Sequence, residues 1–400
     1  MVRRSRVPIV PELLIPFCPE SIMALERRPP RNKKSSPPIL SHEFVIQNHG
    51  DITSVLLMVV FLGFMFPMTS PIASIFIIPQ YNETVNVTIP GSDAVYPVES
   101  WGVGIRDVFT VIFYMVASVT MHAIIQEYVI DKLTKKVCRD YKLSLSKTRQ
   151  VKLNESGQMI LFSAYAFAHA MWILSDMFTQ VADLQKLWIN YPEEHRFINL
   201  RTKFFFIIQL AYWLHQLPEF YLQKLKGEEM RQRTLPIIIH VVVIGAAYAM
   251  NFTRIAVVVL SIEYLLGFIF HTARLTHFVE MKNTATHLFR IWNVLFVAAR
   301  LIETLLSVMV FWHGLKVSET PFVDVEAGNF NTSFIRLNCL VVIMVLQGYL
   351  VVSFALFHFG RVRDSWSKKS KKTEKSAVKP LKGKKKVGGS SDEEDNKKTN

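Results

Sequence analysis

Eight stretches of about 20 mostly apolar residues constrain this chain more than any other feature of its sequence. In hydrocarbon every backbone polar group must be bonded within its own segment, so such a stretch crosses a bilayer as a helix. Half of the 400 residues are hydrophobic and 29 are Phe, which lipid contact explains better than a single soluble core. We predict an all-α, polytopic membrane protein whose eight spans cover approximately 52–71, 108–128, 159–177, 204–222, 235–252, 255–272, 288–315 and 334–359.

The basic residues predict on which side of the membrane each loop lies. An even number of spans places both termini on one side, and the segments of that side hold 36 Lys and Arg against seven in the opposite loops. By the positive-inside rule, we expect both termini in the cytosol. The formal net charge of +14 is then a matter of topology, and we expect no sequence-specific nucleic-acid partner.

Three cysteines provide neither a disulfide framework nor a CxxC metal site, because Cys18 and Cys138 lie in basic segments and Cys339 in an apolar one. We expect no metal and no cofactor. The first 50 residues lack the apolar core and cleavage site of a signal peptide, so the first span is expected to act as its own signal.

Modification motifs agree with this topology. Glycans are added on the lumenal side, and three Asn-X-Ser/Thr sequons fall in predicted lumenal loops, at Asn82, Asn86 and Asn331. We predict N-glycosylation at all three.

The tail beyond residue 361 is predicted from its composition to be disordered. It either fixes topology as a solvated tail or is attracted to anionic lipid or ribosomal RNA. Near its end Lys397 and Lys398 have the form of a di-lysine retrieval signal, and Ser390 and Ser391 precede an acidic cluster typical of a kinase site.

Polar side chains within the spans are the functional candidates, because ionisable groups in hydrocarbon are costly. Arg300 and Glu303 are spaced i, i+3, and an ion pair that hides two charges is the simplest interpretation. Glu263 has no partner in its own span, so we expect a contact to Arg300 or His240; a proton-carrying or lipid-headgroup site is the alternative. We predict that one polar cavity is lined by Gln209, His215, Glu219, His240, Glu263, His271, Arg300 and Glu303.

Motifs of soluble enzymes are missing from the sequence: it contains no GxSxG, Walker A, HExxH or GxGxxG. We therefore predict a protein that is not an enzyme.

Several blocks of the sequence resemble a known family. They include HAIIQEY at 122–128, LNESGQ at 153–158, QLAYWLH at 209–215, FIFHTARL at 268–275 and GNFN at 328–331. In this order they are similar to the translocating chain-associated membrane protein (TRAM) family. The resemblance implies a TLC domain over 151–361, preceded by a basic cytosolic segment (1–50) and a family-specific region with two spans (51–150), and followed by the tail (362–400).

The resemblance also implies a location and partners. It places the chain in the endoplasmic reticulum membrane beside the Sec61 translocon, in contact with nascent secretory and membrane polypeptides and with membrane lipids, and the ribosome is a further candidate partner. Help for weak signal sequences and polar membrane spans is the implied function.

Ceramide synthases share the TLC domain and provide the alternative function. The resemblance implies that ceramide synthases carry paired histidines at the start of one TLC span and an HDxxD-like motif on the next. At the matching positions this chain has Ile239-His240, and Ile262-Glu263 followed by Leu266. One histidine and one acid remain of that set, which disfavours acyl transfer. Binding or sensing of a sphingolipid or sterol stays open.

Overall fold

The structure is a computed structural model that describes residues 38, 41–88, 95–143, 145–178, 181–222 and 227–377. The predicted retrieval and phosphorylation sites, at Lys397, Lys398, Ser390 and Ser391, lie outside these residues, as do most of both terminal segments. Contacts divide the chain after Phe354 into two units. The first holds all the elements discussed below, and the described part of the second continues the last helix.

The described residues form helices joined by short connections and one small hairpin. The helices are α1 (His42–Met65), α2 (Ser70–Ile77), α3 (Asp107–Ile125), α4 (Asp131–Asp140), α5 (Lys147–Met177), α6 (Glu193–Arg196), α7 (Leu200–Leu222), α8 (Gly227–Ala249), α9 (Thr253–Phe278), α10 (Lys282–Ser307) and α11 (Ser333–Ala377). The strands are β1 (Asn82–Thr88) and β2 (Val95–Trp101). Two π-helical segments, Gln126–Ile130 and Val308–Gly314, extend α3 and α10.

Six helical segments are long and apolar enough to cross a membrane: His42–Met65, Asp107–Asp140, Arg149–Met177, Thr253–Phe278, Lys282–Ser318 and Ser333–Asp364. In α8 the apolar part, Arg233–Ala249, is shorter. Helix α7 has 23 residues but carries many polar side chains, which lower its hydropathy. The prediction of an α-helical, multi-pass membrane protein is confirmed. The number of eight spans and the side of the termini stay predictions.

Helix α1 begins and ends earlier than the predicted first span, 52–71, and prolines follow its end. Helix α1 starts at a cap in which Ser41 Oγ accepts a hydrogen bond from Phe44 N at 3.2 Å, and it stops at Met65, before Pro67. Pro71 then occupies the first turn of α2, where its missing N–H leaves no hydrogen bond unmade. All of α1 is at least partly exposed, and its apolar side chains provide a surface for lipid.

Helix α9 is the centre of the bundle. It packs against α5, α10 and α8, and every one of its residues is buried or half-buried. A connection of three residues, 250–252, joins it to α8, and Asn251 adopts a positive φ of 58°, which asparagine tolerates better than most residues. The predicted apolar stretches 235–252 and 255–272 leave only two residues between them, which agrees with this tight connection. On the α5 side of α9 the core contains the fully buried Phe205, Phe206 and Val257.

A buried ion pair, which no sequence pattern indicates, fastens the β-hairpin to the helices. Lys203 Nζ lies 2.9 Å from Asp107 Oδ1 and donates hydrogen bonds to the carbonyl oxygens of Gln80 at 2.7 Å and Gly102 at 2.6 Å. Tyr248 donates its hydroxyl proton to Asp107 Oδ2 at 2.8 Å. These contacts fix the two ends of the hairpin on α3, α7 and α8.

Candidate functional site

An ion cluster occupies the middle of α9 and α10. Arg300 Nη2 lies 2.7 Å from Glu263 Oε1 on α9, and Arg300 Nη1 lies 3.2 Å from Glu303 Oε2 on its own helix. Gln347 of α11 donates to Glu303 Oε2 at 2.7 Å and accepts from Arg300 Nη1 at 3.1 Å. The contact expected for Glu263 is thus made to Arg300, and three helices meet at this guanidinium.

The ion cluster lies far from both ends of the helices that carry it. Arg300 is 18 residues from each end of the apolar segment Lys282–Ser318. Glu263 is ten residues from the start of α9, which corresponds to about 15 Å along the helix axis, half of a hydrocarbon thickness. The side chains of Arg300 and Glu303 are 3% and 0% exposed, whereas that of Glu263 is 36% exposed. The cluster reaches the bundle surface through Glu263.

A series of linked polar and aromatic side chains lies next to the ion cluster. Tyr264 donates a hydrogen bond to Gln209 Oε1, and Trp213 Nε1 donates to Tyr264 Oη at 3.5 Å. The His240 ring stacks on Trp213 with centroids 3.7 Å apart, and it is close enough to Glu263 to interact electrostatically. We call the whole set the mid-helix network: Gln209, Trp213, His240, Glu263, Tyr264, Arg300, Glu303 and Gln347.

The structure does not bring all eight predicted residues into one cavity. Five belong to the mid-helix network, whereas His215 and Glu219 line a separate cavity and His271 is buried with its ring edge on Phe270. The reason is helical geometry. Gln209 and His215 are six residues apart on α7, which is about 1.7 turns, so they face different neighbours.

The second polar region is a cavity of about 70 Å³ between α3, α5, α7 and α8, which we call the interhelix cavity. His122 Nδ1 lies 3.4 Å from His215 Nε2, and His122 Nε2 lies 3.8 Å from Glu219 Oε1. Gln158 donates to the backbone oxygen of His122 at 3.2 Å. The cavity is lined by His122, Glu155, Gln158, Met159, Tyr212, His215, Gln216, Glu219, Phe220 and Arg233.

Sequence reasoning missed part of this lining. His122 was visible as an ionisable residue of the second predicted span, whereas Glu155 and Gln158 precede the third predicted span, where polar residues are ordinary. The family resemblance could have identified them, because all three fall in the HAIIQEY and LNESGQ blocks. Within the described ranges there is no group of three His, Cys, Asp or Glu suited to a metal ion.

The three predicted glycosylation sites differ in accessibility. Asn82 and Asn86 are exposed on β1. Asn331 is fully buried, and its Nδ2 donates to the backbone oxygen of Leu315 at 2.5 Å and to Ser318 Oγ at 3.1 Å. The nitrogen that would carry a glycan is therefore occupied in the folded protein.

A multi-pass helical bundle with charged groups at mid-helix belongs to the class of polytopic membrane proteins with a polar interior. Comparison with known proteins identifies the family. Residues 152–355 match the TLC domain family. Translocating chain-associated membrane protein 2 of Homo sapiens is 36% identical over 344 residues, which cover 86% of this chain and 88% of that protein. The Mus musculus protein of the same name is 36% identical over 348 residues, or 87% of this chain and 90% of its own length. The chain belongs to the translocating chain-associated membrane protein family and contains a TLC domain.

Proposed function

We propose that this protein is a non-enzymatic accessory factor of the endoplasmic reticulum translocon. In this role it resides in the endoplasmic reticulum membrane beside the Sec61 channel, contacts nascent chains, and assists the translocation or lipid insertion of signal sequences and transmembrane segments. The ribosome is a further candidate partner. The names of its relatives support an association with translocating chains. The observation that carries the proposal is the mid-helix network, which reaches the bundle surface at Glu263.

The charges of the ion cluster suit a polar client segment. A charged side chain at the bilayer centre costs about 3 kcal/mol on insertion scales. The exposed charge of the cluster is the carboxylate of Glu263, whereas Arg300 and Glu303 are buried. A Lys or Arg in an inserting segment finds a counter-charge at Glu263 without having to break the pair between Arg300 and Glu303. This pairing lowers the free-energy cost of placing that side chain in lipid.

Acyl transfer of the ceramide synthase type is disfavoured by the contacts of the residues at the positions of the synthase motifs. His240 Nδ1 is hydrogen-bonded to the backbone oxygen of Pro236 at 2.8 Å while its ring stacks on Trp213. Glu263 is engaged by Arg300. A base that must exchange protons with a substrate needs access to it, whereas the ring of His240 is held by partners inside the protein. Binding of a sphingolipid or sterol remains the alternative, and it predicts that such a lipid copurifies with the protein in an amount that depends on these side chains.

Insertion of designed clients tests the proposal. Proteoliposomes that contain the Sec61 channel and this protein receive clients whose span carries one central Lys, one central Asp or neither. In the variant Glu263→Gln, insertion of the Lys client should fall about fivefold, equivalent to about 1 kcal/mol, and the apolar client should be unaffected.

The matched control is Glu280→Gln. Glu280 is an acid just beyond the end of α9, 54% exposed and paired with Arg149 at 3.0 Å. Its substitution should leave all three clients unchanged. Equal losses for every client in Glu263→Gln, or no loss for the Lys client, would show that the mid-helix network does not act on client charge.

A further inference from the structure

The interhelix cavity takes no part in the proposed function, and charges of both signs contribute to its lining. In the positive group, Arg233 Nη1 lies 3.5 Å from Glu155 Oε1 and Arg274 Nη2 lies 3.7 Å from Glu155 Oε2. Two guanidinium groups therefore share one carboxylate, and this group has a surplus positive charge. The negative group is the Glu219 carboxylate, which lies beside the His122–His215 pair. Residues of both groups line one cavity of about 70 Å³.

Two buried hydrogen-bond donors in the lining of the cavity have no acceptor within the described part of the chain. Arg233 Nε and Gln216 Nε2 are shielded from solvent, and neither has a hydrogen-bond partner among the residues that the structure describes. Leaving a buried donor unpaired costs about 1–3 kcal/mol. Both side chains line the interhelix cavity, so reorientation of each side chain would bring its unpaired donor to an oxyanion placed there.

The cavity lies near the ends of apolar segments. Glu219 is three residues before the end of α7, Arg233 begins the apolar part of α8, and the helix that carries His122 continues through the π-helical segment Gln126–Ile130 into the polar α4. This is the level at which a lipid headgroup, rather than an acyl chain, meets a membrane protein. Met159 and Phe220 add apolar surface to the lining, as the glycerol region of a lipid would require.

From these features we propose that the interhelix cavity binds a zwitterionic group in which a phosphate ester is joined to an ammonium, as in the headgroup of phosphatidylethanolamine. The phosphate oxygens accept hydrogen bonds from Arg233 and Gln216, and the ammonium lies against the Glu219 carboxylate. Charge-assisted hydrogen bonds of this kind are the strong ones in proteins. The acyl chains stay outside, because the cavity has room for several water-sized groups and not for a chain.

Lipid retention in nanodiscs tests this inference. The full-length protein is reconstituted in phosphatidylcholine nanodiscs that contain equal small amounts of phosphatidylethanolamine and phosphatidylglycerol, and the lipids retained after transfer to detergent are counted by native mass spectrometry. Phosphatidylethanolamine should be retained over phosphatidylglycerol, and Glu219→Gln and Arg233→Gln should each reduce that retention at least about fivefold. Arg233→Lys, which keeps the charge, should recover part of it. The control is Arg290→Gln, which replaces an exposed arginine of α10 and should retain as much as the unchanged chain.

Other outcomes would overturn the inference. Equal retention of phosphatidylglycerol would show that the ammonium is not recognised, and equal loss in Arg290→Gln would place binding elsewhere. Thermal unfolding in detergent separates loss of the site from loss of the fold, because Glu219→Gln should keep its midpoint while it loses the lipid. Displacement of the lipid by soluble phosphoethanolamine would assign the site to a soluble ester of the same chemistry. Failure to displace it would assign the site to the membrane lipid.

Discussion

Replacing Lys203 by Met should destabilise the protein more than any change to its exposed lysines. Lys203 is 0% exposed, and its loss leaves the carboxylate of Asp107, 4% exposed, without a counter-charge. Breaking a buried ion pair in this way costs about 3–5 kcal/mol. Asp107 keeps two hydrogen bonds, from Tyr248 at 2.8 Å and from Gly104 N at 3.1 Å, so we expect a value near the lower limit. The carbonyls of Gln80 and Gly102, which lose their donor, add to it.

The double variant isolates the charge. Lys203→Met combined with Asp107→Asn removes both ions, and it should recover at least about 2 kcal/mol relative to Lys203→Met alone. The free energy of unfolding is measured in detergent by denaturant titration, and protease cleavage within the β-hairpin provides a local readout. Lys282→Met, at an exposed position of α10, is the control and should change stability by no more than about 0.5 kcal/mol. A loss below about 1 kcal/mol in Lys203→Met, or a double variant no more stable than it, would refute the reasoning.

Three further predictions follow from the described contacts. Glycopeptide mapping should find glycans at Asn82 and Asn86 and none at Asn331, whose amide is buried; a glycan there in folded protein would contradict the structure. Burial lowers the pKa of His195 to about 4, below its ordinary 6.5, so the folded state binds fewer protons than the unfolded state. Stability should therefore be complete above the ordinary pKa and fall by up to about 3 kcal/mol as the pH decreases toward the lower value, a slope that denaturant titrations should not find in His195→Gln. Arg300→Met, which leaves two carboxylates uncompensated, should destabilise the protein by about 3 kcal/mol or more, and an unfolding free energy equal to that of Glu263→Gln would show that the cluster is not held by its charges.

Local features of the fold could be read from the sequence because their causes are local. Apolar stretches predict helices that cross a membrane, and the two residues between the predicted spans 235–252 and 255–272 leave room for only a tight turn. The end of α1 at Met65 has an equally local cause, because Pro67 follows it. Alternation of Val with polar residues in NETVNVT was also visible, but in a chain dominated by helices it drew no prediction of a strand. Helix α7 differs from the six more apolar segments because its polar residues are buried against neighbouring helices, which hydropathy cannot measure.

Contacts between helices could not be predicted in the same way. Spacing predicted that Arg300 and Glu303 share a face, and the absence of a local partner predicted a contact for Glu263. By contrast, the His122–His215 contact joins residues that are 93 positions apart, and the Lys203–Asp107 contact joins residues that are 96 apart. Helical periodicity indicates which residues share a face, but the order in which the helices pack decides which faces meet. For that reason, seven of the eight residues predicted to line one cavity are divided between the mid-helix network and the interhelix cavity.

Crosslinking from within the bundle tests the central claim most directly. A photoreactive residue replaces Ile262, the half-buried neighbour of Glu263, or Val59, a lipid-exposed residue of α1 that serves as the control. Microsomes that contain either variant receive a stalled nascent chain whose span carries a central Lys. The account predicts a crosslink from position 262 that weakens when the client Lys is replaced by Leu, and a weaker, charge-independent crosslink from position 59. A nascent chain that crosslinks equally from both positions, or from neither, would contradict the claim that the mid-helix network receives polar client segments.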